Sequence, residues 1–247
     1  MNNLQDHFYK KKEADEFFDR WVKNNNNEYY STLDKKIRKE KLNILNCLKS
    51  NISLKKKNIL EIGCFVGDLL FYLKKRFNCK VNGVDASKKA CNLSKKIFDL
   101  KIENKIFIES KYFIINKENF QKFDLIICDD VLSWMDRKSI IQTLSAIDYL
   151  LKDGGYIFMK DYDVKKNFCF KNHHHPKKKI FSFKQKEGHK SFYIWTGNYK
   201  LIYEKLFITN KYQKVKIKDN QANTWSYSII QKQKTFTHPI KKFTDKI

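Results

Sequence analysis

The chain has little glycine, less proline and almost no arginine. Its 247 residues include seven Gly and two Pro, so each glycine is informative about where the backbone must bend or let a ligand come close. No apolar run approaches the roughly 18 residues that a membrane helix needs, which predicts no spanning segment. Met1 to Lys12 is polar and has no apolar stretch of the signal-peptide kind. The six cysteines, Cys47, Cys64, Cys79, Cys91, Cys128 and Cys169, fall singly with no C-x-x-C pair. That spacing argues against a disulfide framework or a zinc ribbon and reads as free thiols in a reducing, cytoplasmic compartment.

Charge of one sign dominates. Lys and Arg total 51 against 27 Asp and Glu, a formal net charge of +24. Only four of those basic residues are Arg (Arg20, Arg38, Arg76, Arg137), which leaves 47 Lys. Nucleic-acid readers lean on Arg, whose planar fork grips phosphates and guanine edges. Here Lys is spread along the chain beside abundant Asn, Ile and Phe, the residue usage of an AT-rich coding sequence. Such a charge permits non-specific attraction to nucleic acid without requiring it, and an anionic small substrate or a lipid-linked sugar is equally compatible. Hydrophobic residues make up 42%, which fits a folded globule rather than a disordered chain.

Apolar periodicity divides the chain. Ala14 to Lys23 and Asp34 to Lys49 read as amphipathic helices, joined by the polar run Asn24–Asn27. From Asn58 strands alternate with helices: strand Asn58–Ile62, helix Asp68–Phe77, strand Lys80–Val84, helix Ser87–Leu100, strand Lys105–Glu109, strand Phe123–Cys128, helix Lys138–Leu151, strand Tyr156–Lys160. This rhythm predicts a parallel sheet covered by helices on both faces. It breaks after Asp161, where residues 163–195 are basic, aromatic and His-rich and read as an insertion or long loop over a site. A helix capped near Thr196–Asn198 and running to about Phe207 follows, then strands Tyr212–Ile217 and Trp225–Ile230 that would make a hairpin, then a poorly ordered tail.

Five of the seven glycines, Gly63, Gly67, Gly83, Gly154 and Gly155, stand where a nucleotide-binding α/β fold needs them. Gly63 and Gly67 occupy the turn between the first strand and its helix, where a Cβ would hinder a bound ligand. The helix starting near Asp68 offers free N–H groups to a polar ligand end. Asp85 ends the second strand, placed to accept hydrogen bonds from both hydroxyls of a ribose.

Four motifs in order over about residues 57–162 carry a resemblance. Glu61-Ile-Gly-Cys-Phe-Val-Gly67, Gly83-Val-Asp-Ala-Ser87, Phe123 to Trp134 and Leu150-Leu-Lys-Asp-Gly-Gly-Tyr-Ile157 resemble the motifs of class I S-adenosylmethionine (SAM)-dependent methyltransferases. The resemblance implies SAM as cofactor, held by Glu61, Gly63, Cys64, Phe65 and Gly67 at the methionine end, Asp85 and Ala86 at the ribose, Ser110 at the adenine and Asp129 near the methionine amine. Phe65 replaces the usual middle glycine. Glu109-Ser110-Lys111 lacks the acidic-then-small pair common after the third strand.

His173-His174-His175 reads three ways. Adjacent histidines do not converge readily on one ion and no carboxylate or Cys partner has ligand spacing nearby, so no metal is expected. One of them could serve as a general base, with Asp130 or Asp161 as second choices, or the run is an exposed basic loop. The stretch around it loosely resembles methyltransferases of surface-polysaccharide biosynthesis, which implies a sugar or glycan-like acceptor. A nicotinamide site is disfavoured because the glycine spacing is G-x-x-x-G, not G-x-G-x-x-G. Trp134 reads as packing.

The expectation is therefore a seven-stranded, Rossmann-like, mostly parallel α/β sheet with helices on both faces. Its parts are an N-terminal helical cap (1–50), a SAM-binding core (51–162), a substrate-side insertion (163–195), a C-terminal helix and β-hairpin (196–235) and a tail (236–247). The expected function is SAM-dependent methyl transfer to O or N of a small-molecule or sugar-like acceptor. An RNA methyltransferase and a non-catalytic SAM-fold protein, its donor pocket plugged by Phe65, are the alternatives.

Overall fold

Strands with apolar residues on both faces belong in the interior of a parallel sheet, and β1 (Asn58–Ile62) and β4 (Phe123–Asp129) lie side by side there. The structure, a computed structural model, describes residues 11–24, 37–135, 137–162, 171–173, 194–196, 199–206, 212–215 and 225–232. β2 (Lys80–Asp85) pairs with β1, the short β3 (Glu103–Asn104) pairs with β2, and β5 (Leu151–Tyr162) pairs with β4, all parallel. β9 (Trp225–Lys232) runs antiparallel to β5, and β8 (Tyr212–Val215) pairs antiparallel with β9 at the edge. The order is β3-β2-β1-β4-β5-β9-β8, a mixed α/β sheet. A separate two-stranded pair joins β6 (Lys171–His173) to β7 (Ile194–Thr196).

Alternate residues of the strands feed two cores. Leu60, Ile62, Ile126, Cys128, Ile157 and Met159 pack with α5 (Arg137–Leu150) and α6 (Tyr199–Leu206) on one face. Ile59, Leu125, Ile127 and Phe158 pack with α2 (Lys39–Asn51), α3 (Asp68–Phe77) and α4 (Lys88–Phe98) on the other. α1 (Lys11–Asn24) lies outside α4 and adds Phe18 to the second core. Lys232, at the end of β9, is buried; its Nζ donates to the carbonyls of Asp148 (2.7 Å) and Leu151 (3.3 Å), where α5 leaves acceptors unpaired.

The third strand differs from the sequence expectation. Residues 105–109 do not form it: β3 is Glu103–Asn104, and 3₁₀ turns follow at Phe107–Glu109 and Lys111–Phe113. At the end of β3, Asn104 Nδ2 donates to the carbonyls of Asp85 (3.2 Å) and Ala86 (2.9 Å), and the Lys105 N–H makes the last ladder bond, to the Asp85 carbonyl (3.0 Å). The apolar run Ile106-Phe107-Ile108 then turns, with Phe107 dropping into the core. β5 is longer than expected, and its register against β4 shifts between Phe123 and Leu125, so Leu151 and Tyr156 face residues only two apart. Most of 163–195, including His174 and His175, and everything after Lys232 lie outside the described residues.

Candidate active site

The carboxyl ends of parallel strands are where a doubly wound sheet receives ligands. Register sets Ile62 beside Val84 and Cys128, Asp129 beside Lys160, and Lys160 beside Tyr227. A cleft of about 450 Å³ opens over this row, within the roughly 300–1,000 Å³ common for small-molecule sites.

Of the residues singled out from sequence, Gly63, Phe65, Asp85, Ala86, Asp129 and Asp130 line this cleft together. Gly63 has φ +69°, and a Cβ on it would sit 2.8 Å from Val131 Cγ2, so only glycine keeps this turn tight. Asp85 accepts from the backbone N–H of Phe65 (2.7 Å) through Oδ2 and of Ser87 (2.8 Å) through Oδ1. Burial raises its pKa, against the pull of those two donors. Glu61, Cys64, Gly67 and Ser110 are not in the lining. Cys64 is buried on the far side of the loop, where burial pushes its thiol well up. Gly67, at φ +73°, caps α3 and lets Ile102, Leu100 and Ser94 close in. Ser110 is buried behind the 3₁₀ turn, and Lys105, Ile106 and Phe107 face the cleft in its place. Ser110, expected at the adenine, thus stands outside the lining. His173 ends β6, opposite Ile194, and β7 runs beside the turn at Leu132–Trp134. Trp134 packs in the core and also lines the cleft.

Residues that sequence reasoning missed complete the site. Lys41 of α2 is buried and sets its Nζ 2.5 Å from Glu61 Oε1 and 2.8 Å from Asp129 Oδ2. Lys160 Nζ stands 3.0 Å from Asp129 Oδ1. Burial opposes charge on Lys41, yet Asp129 and Glu61 together hold it protonated, with its pKa raised. Burial likewise works against the Asp129 carboxylate, and the two ammonium groups overcome it, bringing its pKa down to about 2. Glu61 goes the other way: burial outweighs Lys41 and pushes it up to about 7. Arg38, just ahead of α2, donates from Nε (3.0 Å) and Nη2 (2.9 Å) to the two oxygens of Asp68, and its guanidinium lies 4.9 Å from the centre of the Phe65 ring. The signal for Lys41 was present. Ile37, Lys41, Ile44, Leu45 and Leu48 share one helical stripe, so that lysine alone stands on an apolar face.

The charges of the lining balance among the described residues: Arg38, Lys41, Lys105 and Lys160 stand against Glu40, Asp85, Asp129 and Asp130, inside a chain of net charge +24. Among the described residues no group of three or more His, Cys, Asp or Glu is arranged to hold a metal ion, and no helix is long and apolar enough to cross a membrane.

Residues 53–233 match a family model described as a methyltransferase domain. The chain belongs to that family. A match with an uncharacterized protein of Rickettsia prowazekii (strain Madrid E), RP028, shows 33% identity over 108 residues and covers 43% of this methyltransferase-domain chain and 43% of the relative. The chain thus spans less than half of that protein's length. Among solved structures, the PH0226 protein of Pyrococcus horikoshii OT3 superposes with a TM-score of 0.55 at 19% identity, over 83% of this chain and 99% of that one. The 1,6-didemethyltoxoflavin-N1-methyltransferase of Burkholderia thailandensis, solved with S-adenosylhomocysteine bound, gives 0.51 at 11% identity over 90% and 87%. Both likenesses are of fold.

Proposed function

We propose that the protein is a SAM-dependent methyltransferase acting at O or N of a small-molecule acceptor. The observation that carries this is the pairing, across one open cleft, of a Cβ-free turn at Gly63 with the carboxylate of Asp85 one strand over. The residues fit the donor. Asp85 would take the ribose hydroxyls, since two backbone donors already fix its orientation. Lys105, Ile106 and Phe107 would flank the base. Phe65 and Asp129 would face the methionine end, with Lys41 and Glu61 behind fixing Asp129. When bound, SAM brings a methyl group on a sulfonium, a good leaving group. What this chain supplies is alignment, water exclusion by Phe17 and Trp134, and Asp130 to hold a proton at the acceptor end. A proton-accepting role for the 173–175 histidines is a second assignment, testable with His173→Ala.

Phe65 lines the cleft without filling it, which speaks against a plugged, non-catalytic domain. The test is methyl-labelled SAM incubated with the protein and fractionated cell extract. Label passing to a small-molecule fraction is the expected result; SAM binding with no label transferred to any fraction would leave a binding protein only.

A further inference from the structure

The cleft lies at the carboxyl ends of the strands, and the opposite, amino edge of the sheet carries a surface that shares no residue with it. The starts of three strands are tied together there. Asn58 donates from its backbone N–H to Asp124 Oδ2 (2.8 Å) and from Nδ2 to the Lys122 carbonyl (2.9 Å), and Asn82 Nδ2 donates to Asn58 Oδ1 (3.0 Å). The Lys56 N–H reaches the Phe77 carbonyl at the end of α3 (2.9 Å), and the Lys80 N–H reaches the Lys57 carbonyl (2.9 Å). These bonds gather Lys55, Lys56, Lys74, Lys75, Arg76 and Lys80 at one edge, all exposed. Basic residues in the last turn of α3 suit its dipole, but Lys55, Lys56 and Lys80 lie outside any helix. Among the described residues none of the six is ion-paired. The carboxylates exposed at this edge are Asp99, Glu118 and Asp153.

At the same edge the loop before β4 holds apolar side chains out in water: Ile114 is 57% exposed, Ile115 73% and Phe120 41%. The loop is fixed from inside. Buried Asn119 donates from Nδ2 to the carbonyls of Lys111 (2.7 Å) and Ile114 (2.8 Å), and the Tyr149 hydroxyl donates to the Asn116 carbonyl (2.7 Å). Exposure of two adjacent isoleucines is thus built into the loop, and it is unfavourable until something apolar receives them. Charge selects the partner. A second copy of a chain of net charge +24 is repelled. Residues 163–193 and 233–247 offer little counter-charge, with Asp163, Glu187 and Asp245 among many lysines. A nucleic-acid backbone answers the cations and leaves the isoleucines in water. Anionic lipid answers both, with headgroups for the lysines and acyl chains for the isoleucines. We propose that the amino edge docks the protein on an anionic phospholipid bilayer, Ile114 and Ile115 entering the acyl boundary and the lysines resting on the headgroups. The cleft, at the far edge, then faces away from the bilayer and stays open to water.

The test is flotation of the full chain with vesicles of phosphatidylcholine alone and of equal parts phosphatidylcholine and phosphatidylglycerol. Binding to the anionic vesicles only, weakened by salt, is expected. Because the net charge draws the whole chain to any anionic surface, variants identify the face. Lys56→Gln with Lys80→Gln is expected to weaken binding by roughly tenfold or more. Lys88→Gln with Lys89→Gln, the same charge change on exposed residues at the start of α4, is expected to weaken it far less. Ile114→Ser with Ile115→Ser leaves the charge unchanged and is expected to weaken binding by roughly fivefold or more. Circular dichroism checks that each variant is folded. No binding to the anionic vesicles, equal losses from the two lysine pairs, or no loss from the serine variant overturns the proposal. So does a short RNA duplex that the chain prefers to the vesicles, or a dimer in the absence of lipid that the serine variant abolishes.

Discussion

The two N-terminal helices feed the same core on one face of the sheet and are fastened in opposite ways. α2 is anchored by charges taken out of water: Arg38 on Asp68, and Lys41 between Glu61 and Asp129. α1 is held at its polar side by charges left in water: Asp15 accepts from Ser87 Oγ (2.7 Å) and the Lys89 N–H (2.9 Å), and Asp19 pairs with Lys89. A buried pair contributes little net stability when intact but is costly to break, whereas an exposed pair is weak either way. The lesson is positional. α2 is part of the site's fixed frame, and α1 contributes Ala14 and Phe17 to the cleft mainly through its rings.

The sharpest way to break this contrast is Lys41→Met. It leaves buried Glu61 without its cation and Asp129 with Lys160 alone, and urea unfolding is expected to show a loss of about 3–5 kcal/mol. Arg38→Ala comes next, with an expected loss of about 2 kcal/mol for charged hydrogen bonds to Asp68. Acid should act on the same frame. Asp68 is lowered by Arg38 against the cost of burial, and Asp129 sits at about 2. Groups with lowered folded values give stability that is present above their unfolded value, about 3.9, and lost as pH falls through the folded one. Stability should therefore drop steeply between about pH 4 and 2. Glu61, at about 7 in the fold, has the opposite sign: its contribution is present below its ordinary value of 4.5 and fades as pH rises to 7. Glu61→Gln should flatten the stability profile across that window. Lys89→Ala is the smallest expected effect, with no measurable change in the unfolding midpoint, because that pair is solvated.

Much of the frame was legible from local pattern. β1 and α3 have the bounds read from their apolar periods, and the Gly63 turn, Asp85 and the Asp129-Asp130 pair meet in one cleft. What was not legible depends on partners far apart in the chain. Lys41 and Asp129 lie on different elements, and in a chain with 47 Lys nothing local distinguishes Lys41 except its place on an apolar stripe. The end of β3 has the same origin: strand period is present in residues 105–109, but the chain turns at Phe107–Glu109 and buries Phe107 in a core built by distant elements.

Calorimetric titration with S-adenosylhomocysteine, on the natural chain and on Asp85→Ala checked for fold by circular dichroism, probes the donor cleft most directly. The expected result is stoichiometric binding to the natural chain and an affinity lower by roughly tenfold or more, on the order of 1.4 kcal/mol, in the variant. No heat of binding from the natural chain, or equal affinity in both proteins, would contradict the place given to Asp85.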